Sequence, residues 1–444
     1  MTFPGKAYIG LVVLCSTLLA GCAPNIIYRS DYASCTITDN NPCDSHSIQL
    51  HHAGSDQEFL LGFVEIDDQG QLRDRLQMNA LMDSVYRMSS DDDVLINVFV
   101  HGWHHNAAPG DSNIEGFKET LAKLSQIEHE YAKDEPRKVI GIYVGWQGES
   151  IDFPGLRYVT FWDRKNTAED VGYLGISELL LRLEQVTHVK KTQRIEDEKK
   201  PGLTDAGDNS LQQSSSRLVI IGHSFGGAVV YNAASQILAS RFVNSKIGKS
   251  YVGAVEGFGD LVVLLNPAFE ATQFAPLYDL AQSRCSYPFS KRPRLAILTS
   301  ETDYATKYAF WAGRVFSTLW ETHNTIEREE CGGKRKLIMD EGEADRNTVG
   351  HFSPLLTHEL SKAKAQREVA KPRPQELAAL WRQQKEGKAM RYGNTELTHL
   401  GKTELHNPYL NILVHSDVMD GHNDIFGDDL TDFIRMLILL STQR

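Results

Sequence analysis

The run Leu218-Val219-Ile220-Ile221 leads straight into Gly222-His223-Ser224-Phe225-Gly226-Gly227 and then into Ala228-Val229-Val230-Tyr231-Asn232-Ala233-Ala234. An apolar, β-branched run specifies a buried strand, and the segment after the glycines reads as a helix. A chain that passes from strand to helix so abruptly leaves almost no room for side chains two residues before and two after the central serine, which explains Gly222 and Gly226. Ser224 then projects its hydroxyl above the sheet. An ordinary strand-to-helix turn would have the same local pattern, so the surrounding chain has to decide between them.

Three further apolar runs end in residues of matching chemistry. Val94 to Val100 closes in His101-Gly102-Trp103; Arg294 to Ser300 closes in Glu301-Thr302-Asp303; Tyr409 to His415 precedes a short loop that reaches His422. An acid just past the carboxyl end of a strand can orient a histidine. Asp303 is the first choice and Glu301 the reserve, although Asp303 would equally cap a helix starting near Tyr304. Among the C-terminal histidines, His351, His358, His399 and His406 do not follow a strand-like run and His415 lies within one. His422 sits on a loop before a helical repeat of Leu430, Phe433, Ile434, Leu437 and Ile438. His101, His104 and His105 could be read as a metal cluster, but zinc needs a further ligand at defined spacing and none is found. No metal and no cofactor is expected.

With GHSFGG at 222 to 227, HGW at 101 to 103, SETD at 300 to 303 and GHND at 421 to 424 in that order, the chain resembles the α/β-hydrolase superfamily. VFVHGWHHNA, LNPAFEA at 265 to 271 and GHNDI are similar to a group of bacterial and fungal serine hydrolases of esterase or lipase type. The resemblance covers roughly Phe59 to the C-terminus, with interruptions. It implies an α/β fold with a mostly parallel central sheet flanked by helices, carrying polar insertions. It also implies roles: Ser224 as nucleophile, His422 as base, Asp303 as the residue orienting it, and the backbone N–H groups of Trp103 and Phe225 as oxyanion donors. The expected activity is cleavage of carboxylic esters through an acyl-enzyme, on an ester or lipid small molecule. A non-catalytic envelope lipoprotein using the fold as a binding scaffold, or an acyltransferase, are the alternatives; the first predicts a decayed constellation.

At the N-terminus, Lys6 precedes an apolar stretch from Ala7 to Ala20, too short to span a bilayer comfortably and suited to a signal peptide. It closes in Leu19-Ala20-Gly21-Cys22, which resembles the lipobox of bacterial lipoproteins, with Cys22 as the lipidated residue. Residues 1–21 then form the signal peptide, 22–57 a polar tether and 58–444 the α/β domain. The resemblance places the protein in the bacterial cell envelope, held to the membrane by its N-terminal lipid, with Ala23 favouring the outer membrane facing the periplasm. Four cysteines remain for a disulfide-permissive compartment: Cys35, Cys43, Cys285 and Cys331. Three connectivities are open, and Cys35 with Cys43 and Cys285 with Cys331 closes the shortest loops.

The 444 residues, 41% of them hydrophobic, suffice for one α/β domain with insertions. A formal charge of −12 offers no basic patch for nucleic acid, so no nucleic-acid partner is expected; the sequence leaves the oligomeric state open. Glu58 to Ile66 alternates like a strand, Leu76 to Met88 reads as a helix and Val139 to Val144 as a further strand. The insertion at about 147–216 has an aromatic part (Phe153, Leu156, Tyr158, Phe161, Trp162) that would form a lid or complete the core, and a loose charged part from Lys190 to Ser216. The insertion at about 322–402 reads as a polar surface subdomain rather than more sheet, with a helix over Pro374 to Gln384. The acid runs Asp91 to Asp93 and Asp428-Asp429 lack the alternating spacing of a calcium loop.

Overall fold

A computed structural model describes residues 26–442, apart from 133–134, 149–160, 174, 199–215, 249, 252, 290–291, 319 and 365–372. The expected signal peptide, Cys22 and the aromatic residues Phe153, Leu156 and Tyr158 lie outside the described residues, as do the side chains of Phe161 and Trp162.

Among the described residues twelve strands form one sheet: β1 (Asp31–Thr36), β2 (His46–His51), β3 (Phe59–Ile66), β4 (Val94–Val100), β5 (Lys138–Trp146), β6 (Arg217–His223), β7 (Leu261–Leu265), β8 (Leu295–Ser300), β9 (His358–Lys362), β10 (Ala389–Tyr392), β11 (Thr395–His399) and β12 (Tyr409–Val414). Their spatial order is β1-β2-β3-β5-β4-β6-β7-β8-β12-β9-β11-β10. From β3 to β9 every neighbouring pair is parallel. Antiparallel pairings begin only outside that block, where β2 meets β3 and where β11 joins β9 and β10.

Helices cover both faces, so the central strands read as continuous apolar runs instead of alternating ones. On one face pack α1 (Arg75–Asp91), α3 (Phe161–Tyr173), α4 (Gly175–Glu198), α5 (Phe225–Asn244) and α6 (Ala271–Gln282); on the other, α2 (Ser112–Tyr131), α9 (Pro374–Arg382) and α10 (Asp428–Ser441). Two short helices, α7 (Phe310–Ser317) and α8 (Glu341–Arg346), follow β8. The core accordingly has two layers. Ile96, Val98, Ile220 and Val262 point into the first with α1 and α5, while Leu95, Phe99, Val219 and Val263 point into the second with α2 and α10. This is the period-two alternation of a strand buried on both sides.

Three segment expectations change. The 22–57 segment is no tether from Asp31 onward, because it contributes β1 and β2 to the sheet. Its buried Ile48 joins the first core layer, and the polar residues that suggested a spacer serve elsewhere: Gln49 donates to the carbonyl of Cys43. Just before β1, the backbone N–H groups of Tyr28 and Arg29 donate to the Glu65 carboxylate, and Arg29 Nε donates to the carbonyl of Ala107. The 322–402 insertion does supply more sheet. β9 pairs in parallel with β12, and its alternation of buried His358 and Leu360 with half-exposed Glu359 and Ser361 is a strand pattern that polar composition obscured. The charged stretch after Lys190 continues α4 as far as Glu198 before leaving the described residues. Both shortest-loop disulfides form, Cys35 with Cys43 and Cys285 with Cys331. Among the described residues no helix is long and apolar enough to cross a membrane.

Candidate active site

Five side-by-side parallel strands, β4, β6, β7, β8 and β12, deliver the site from their carboxyl ends. β5 and β6 flank β4 on opposite sides, so the chain changes direction across the sheet here, and such a switch point opens a crevice above the strands.

Ser224 follows β6 directly and has φ +56°, a left-handed value that a non-glycine residue adopts only when its surroundings impose it. Those surroundings are backbone. A Cβ on Gly226 would lie 2.2 Å from the carbonyl oxygen of Val100 and 2.4 Å from that of His101, and one on Gly222 would lie 2.5 Å from the carbonyl of Gly226. Only glycine fits at either position. The Ser224 carbonyl accepts from Gly227, Ala228 and Ala268, which fastens the turn to α5 and to the loop after β7.

His422 lies against this serine. Its Nε2 is 2.8 Å from Ser224 Oγ, and its Nδ1 is 2.8 Å from Asp303 Oδ2. With Nδ1–H donating to the carboxylate, Nε2 carries the lone pair that accepts a hydrogen bond from the Ser224 hydroxyl. Asp303 is fully buried. Burial alone would raise its pKa, but hydrogen bonds from His422 and Thr306, together with the charge of His422, hold it below the usual carboxylate range. The same carboxylate accepts from the N–H groups of Ala305 and Thr306. Asp303 therefore caps the following helical turn and is hydrogen-bonded to His422 as well.

Glu301, the reserve acid, is turned elsewhere. It accepts from the backbone of Ser416 and pairs with His415. The competing histidines have other partners: His358 with Thr357 and Gln384, His406 with the carbonyl of Trp381, and His399 with the N–H of Gly401. His351 lies one bond behind the acid. Thr306 Oγ1 donates to Asp303 Oδ2 over 2.5 Å, so it accepts at 3.1 Å from His351 Nε2. Burial pushes the His351 imidazole down to about 4, leaving it a neutral donor.

The His101 to Trp103 loop closes over the serine from β4. A Cβ on Gly102 would lie 2.7 Å from Ser224 Cβ and 3.0 Å from the carbonyl of His223, so this backbone approaches the serine as closely as a glycine permits. Phe225, the first residue of α5, stands at the helix N-terminus, where N–H groups face outward and favour negative charge. His101 and His105 are not arranged around a metal. His101 is stacked on Tyr143 and Trp146, donates from Nδ1 to the carbonyl of Gly102 and accepts at Nε2 from the N–H of Trp146. Both ring nitrogens of His105 are engaged as well, by Asp111 and Asn113.

Two residues of the site had no assigned role in the sequence. Asn266 follows β7 with φ +44°, and its side-chain amide donates to the carbonyls of Gly421 and His422 while its oxygen accepts from Ser300 N–H. His223 Nε2 donates to the same His422 carbonyl at 3.0 Å. Together they clamp the loop that carries His422. The signal for Asn266 was its place after an apolar run in Leu265-Asn266-Pro267; for His223 only its adjacency to Ser224 marked it. Compared with protein-family models and with curated proteins, the chain matches none.

Proposed function

We propose that this protein is a serine hydrolase of the α/β-hydrolase superfamily that cleaves carboxylic esters, anchored to the cell envelope by lipid on Cys22. The observation that carries the reading is the continuous hydrogen-bonded chain from Asp303 through His422 to Ser224, set where adjacent parallel strands end. A hydroxyl at its ordinary pKa attacks a carbonyl poorly. As Ser224 Oγ bonds to the ester carbon, His422 Nε2 takes its proton, and the carbonyl electron pair moves onto oxygen. The N–H groups of Phe225 and Trp103 are assigned to that oxyanion, a role worth about 3 kcal/mol per donor. His422 then returns the proton to the departing alcohol. Water repeats the sequence on the acyl-enzyme and frees Ser224. Asp303 keeps the imidazole in the required tautomer and stabilises its transient positive charge.

A fluorophosphonate tests this directly. Incubation with the purified protein should place one phosphonyl adduct on Ser224, mapped by peptide mass spectrometry. An unmodified Ser224 under conditions that label a control serine esterase would refute the proposal. The anchor is tested separately by metabolic labelling with a fatty-acid analogue, whose incorporation should disappear in Cys22→Ser; label retained in that variant removes the lipobox assignment.

Behind the acid, Thr306→Val deletes one donor to a charged carboxylate while preserving shape. A hydrogen bond to a charged group contributes roughly 1.5–3 kcal/mol, so kcat/KM should fall about 10- to 100-fold, and Thr306→Ser should restore most of it. Wild-type kinetics in the valine variant would show that Asp303 needs no support from this side.

A further inference from the structure

After β8 and α7 the chain makes a hairpin, Thr325–Glu330 against Arg335–Asp340, tied at its tip to the body by the Cys285–Cys331 disulfide. Beneath it lies a cavity of about 520 Å³, walled by Ala275 and Pro276 of α6 and by Ile326, Leu337 and Met339 of the hairpin. None of Ser224, His422 or Asp303 lines it. Among the described residues its lining also includes Asp279, Glu321, Glu341 and Asp345 against one Lys or Arg, Arg328, so acidic groups predominate.

At one side of this cavity three ligand-type atoms converge. His323 Nε2 lies 3.8 Å from Glu321 Oε2 and 3.9 Å from Asp345 Oδ2, and one ligand-type atom from each of the three residues lies within 4.8 Å of the others. His323 Nε2 and Asp345 Oδ2 are both shielded from solvent, and neither has a hydrogen-bond partner among the described residues. Leaving such groups unsatisfied costs about 1–3 kcal/mol each, more where one is charged. At 3.9 Å the pair is too far apart to bond directly. A shared cation could bridge the two after they draw slightly together, since zinc sits about 2.0–2.2 Å from imidazole nitrogen and carboxylate oxygen. Glu321 is half exposed and free to close the remaining gap.

The surroundings of Asp345 fit the same purpose. Its other oxygen accepts from Arg314 Nη2 at 2.6 Å, and Arg314 is also paired with Glu270. That bond fixes the carboxylate so that Oδ2 faces His323, as partners of metal-binding carboxylates do. We propose that Glu321, His323 and Asp345 bind one divalent transition-metal ion of the zinc class, with its remaining coordination positions open to the cavity. One imidazole with two carboxylates favours such an ion over calcium or magnesium, which take oxygen ligands alone. The ion would join the strand-entry loop at 321–323 to α8, and so clamp the base of the hairpin. Asn347, just past α8, accepts from Ala271 N–H, and Thr348 donates to the carbonyl of Thr306, which links this base to the segment behind Asp303.

The test uses the full chain in detergent, stripped with a chelator and titrated with Zn²⁺ by calorimetry, with Ca²⁺ in a parallel titration. One Zn²⁺ per chain should bind and raise the thermal midpoint. Loss of a direct ligand should cost at least what loss of a supporting residue costs, so His323→Ala is expected to weaken binding by about 100-fold or more. Glu321→Gln, a near-isosteric change on a half-exposed side chain, should weaken it at least 10-fold and covers the case in which the histidine variant fails to fold. The proposal is overturned if no stoichiometric Zn²⁺ binds, if only Ca²⁺ binds, or if a folded variant keeps wild-type affinity. Each result is read without reference to ester hydrolysis.

Discussion

Ser224→Ala should abolish both fluorophosphonate labelling and ester turnover while leaving the thermal midpoint near that of the wild type. His422→Ala should lower kcat by about 10⁶-fold and Asp303→Asn by about 10⁴-fold, the scale on which serine, base and orienting acid act as one unit. The ordering follows from the geometry. In the proposed mechanism Ser224 and His422, 2.8 Å apart, exchange the proton, so losing either would stop the transfer; Asp303 would never take the proton, and its loss would instead free the imidazole to adopt the wrong tautomer. Combining Ser224→Ala with His422→Ala should cost little more than either alone. Steady-state hydrolysis of a p-nitrophenyl ester measures all four proteins. Glu301→Gln is the control, because Glu301 bonds to Ser416 and His415 rather than to the base. If Glu301→Gln is crippled and Asp303→Asn is not, the assignment of the acid is wrong.

The fold should come apart in mild acid. Burial pushes His51 and His223 down to about 3 and His101 and His351 down to about 4, and it holds His358 well below its ordinary value. A histidine whose pKa is lower in the folded chain than in the unfolded one binds fewer protons when folded. Its stabilising effect is complete above the unfolded value of about 6.5 and is lost as pH falls from there toward the folded value. At pH 5 each such residue costs about 2 kcal/mol, and several together rival the roughly 5–15 kcal/mol that holds a domain folded. Asp111 and Asp303, both held below the usual carboxylate range, add loss in the same direction at still lower pH. Thermal midpoints should be flat from pH 8 to 7 and drop steeply between pH 6.5 and 4.5. A midpoint unchanged down to pH 4.5 would mean that these histidines are protonated inside the fold. His51→Gln, remote from the serine, should make the slope shallower by about one proton.

The parts of this molecule that were legible in the sequence are those in which local pattern and global position agree. Val94 to Val100 and Leu218 to Ile221 are buried on both faces, so their apolar runs announce parallel strands, and the residues that end them fall at the carboxyl edge. Ser224, Asp303 and His422 were found through that edge. β1, β2 and β9 to β11 were missed because they lie toward the ends of the sheet, where glutamate and lysine stand at the more open positions and serine, glutamine and histidine fill several buried ones, so no apolar alternation is left to read. Partner relations over long separations left no local trace either. Thr306 and His351 are 45 residues apart, and nothing near either one marks the contact.

The pinning of the chain just before β1 limits where the face that carries Ser224 could look. Glu65, which holds the backbone of Tyr28 and Arg29, is level with Gly145, one step beyond the row in which Val144, Val100 and Gly222 stand side by side. The leash therefore leaves the body at the same end of the sheet that carries Ser224. From Cys22 to Tyr28 there are six peptide steps, a reach of at most about 20 Å. If Cys22 is lipidated as proposed, the crevice cannot swing far from the bilayer, and the enzyme would search a surface in two dimensions, meeting esters that partition into that membrane far more often than those dissolved beyond it.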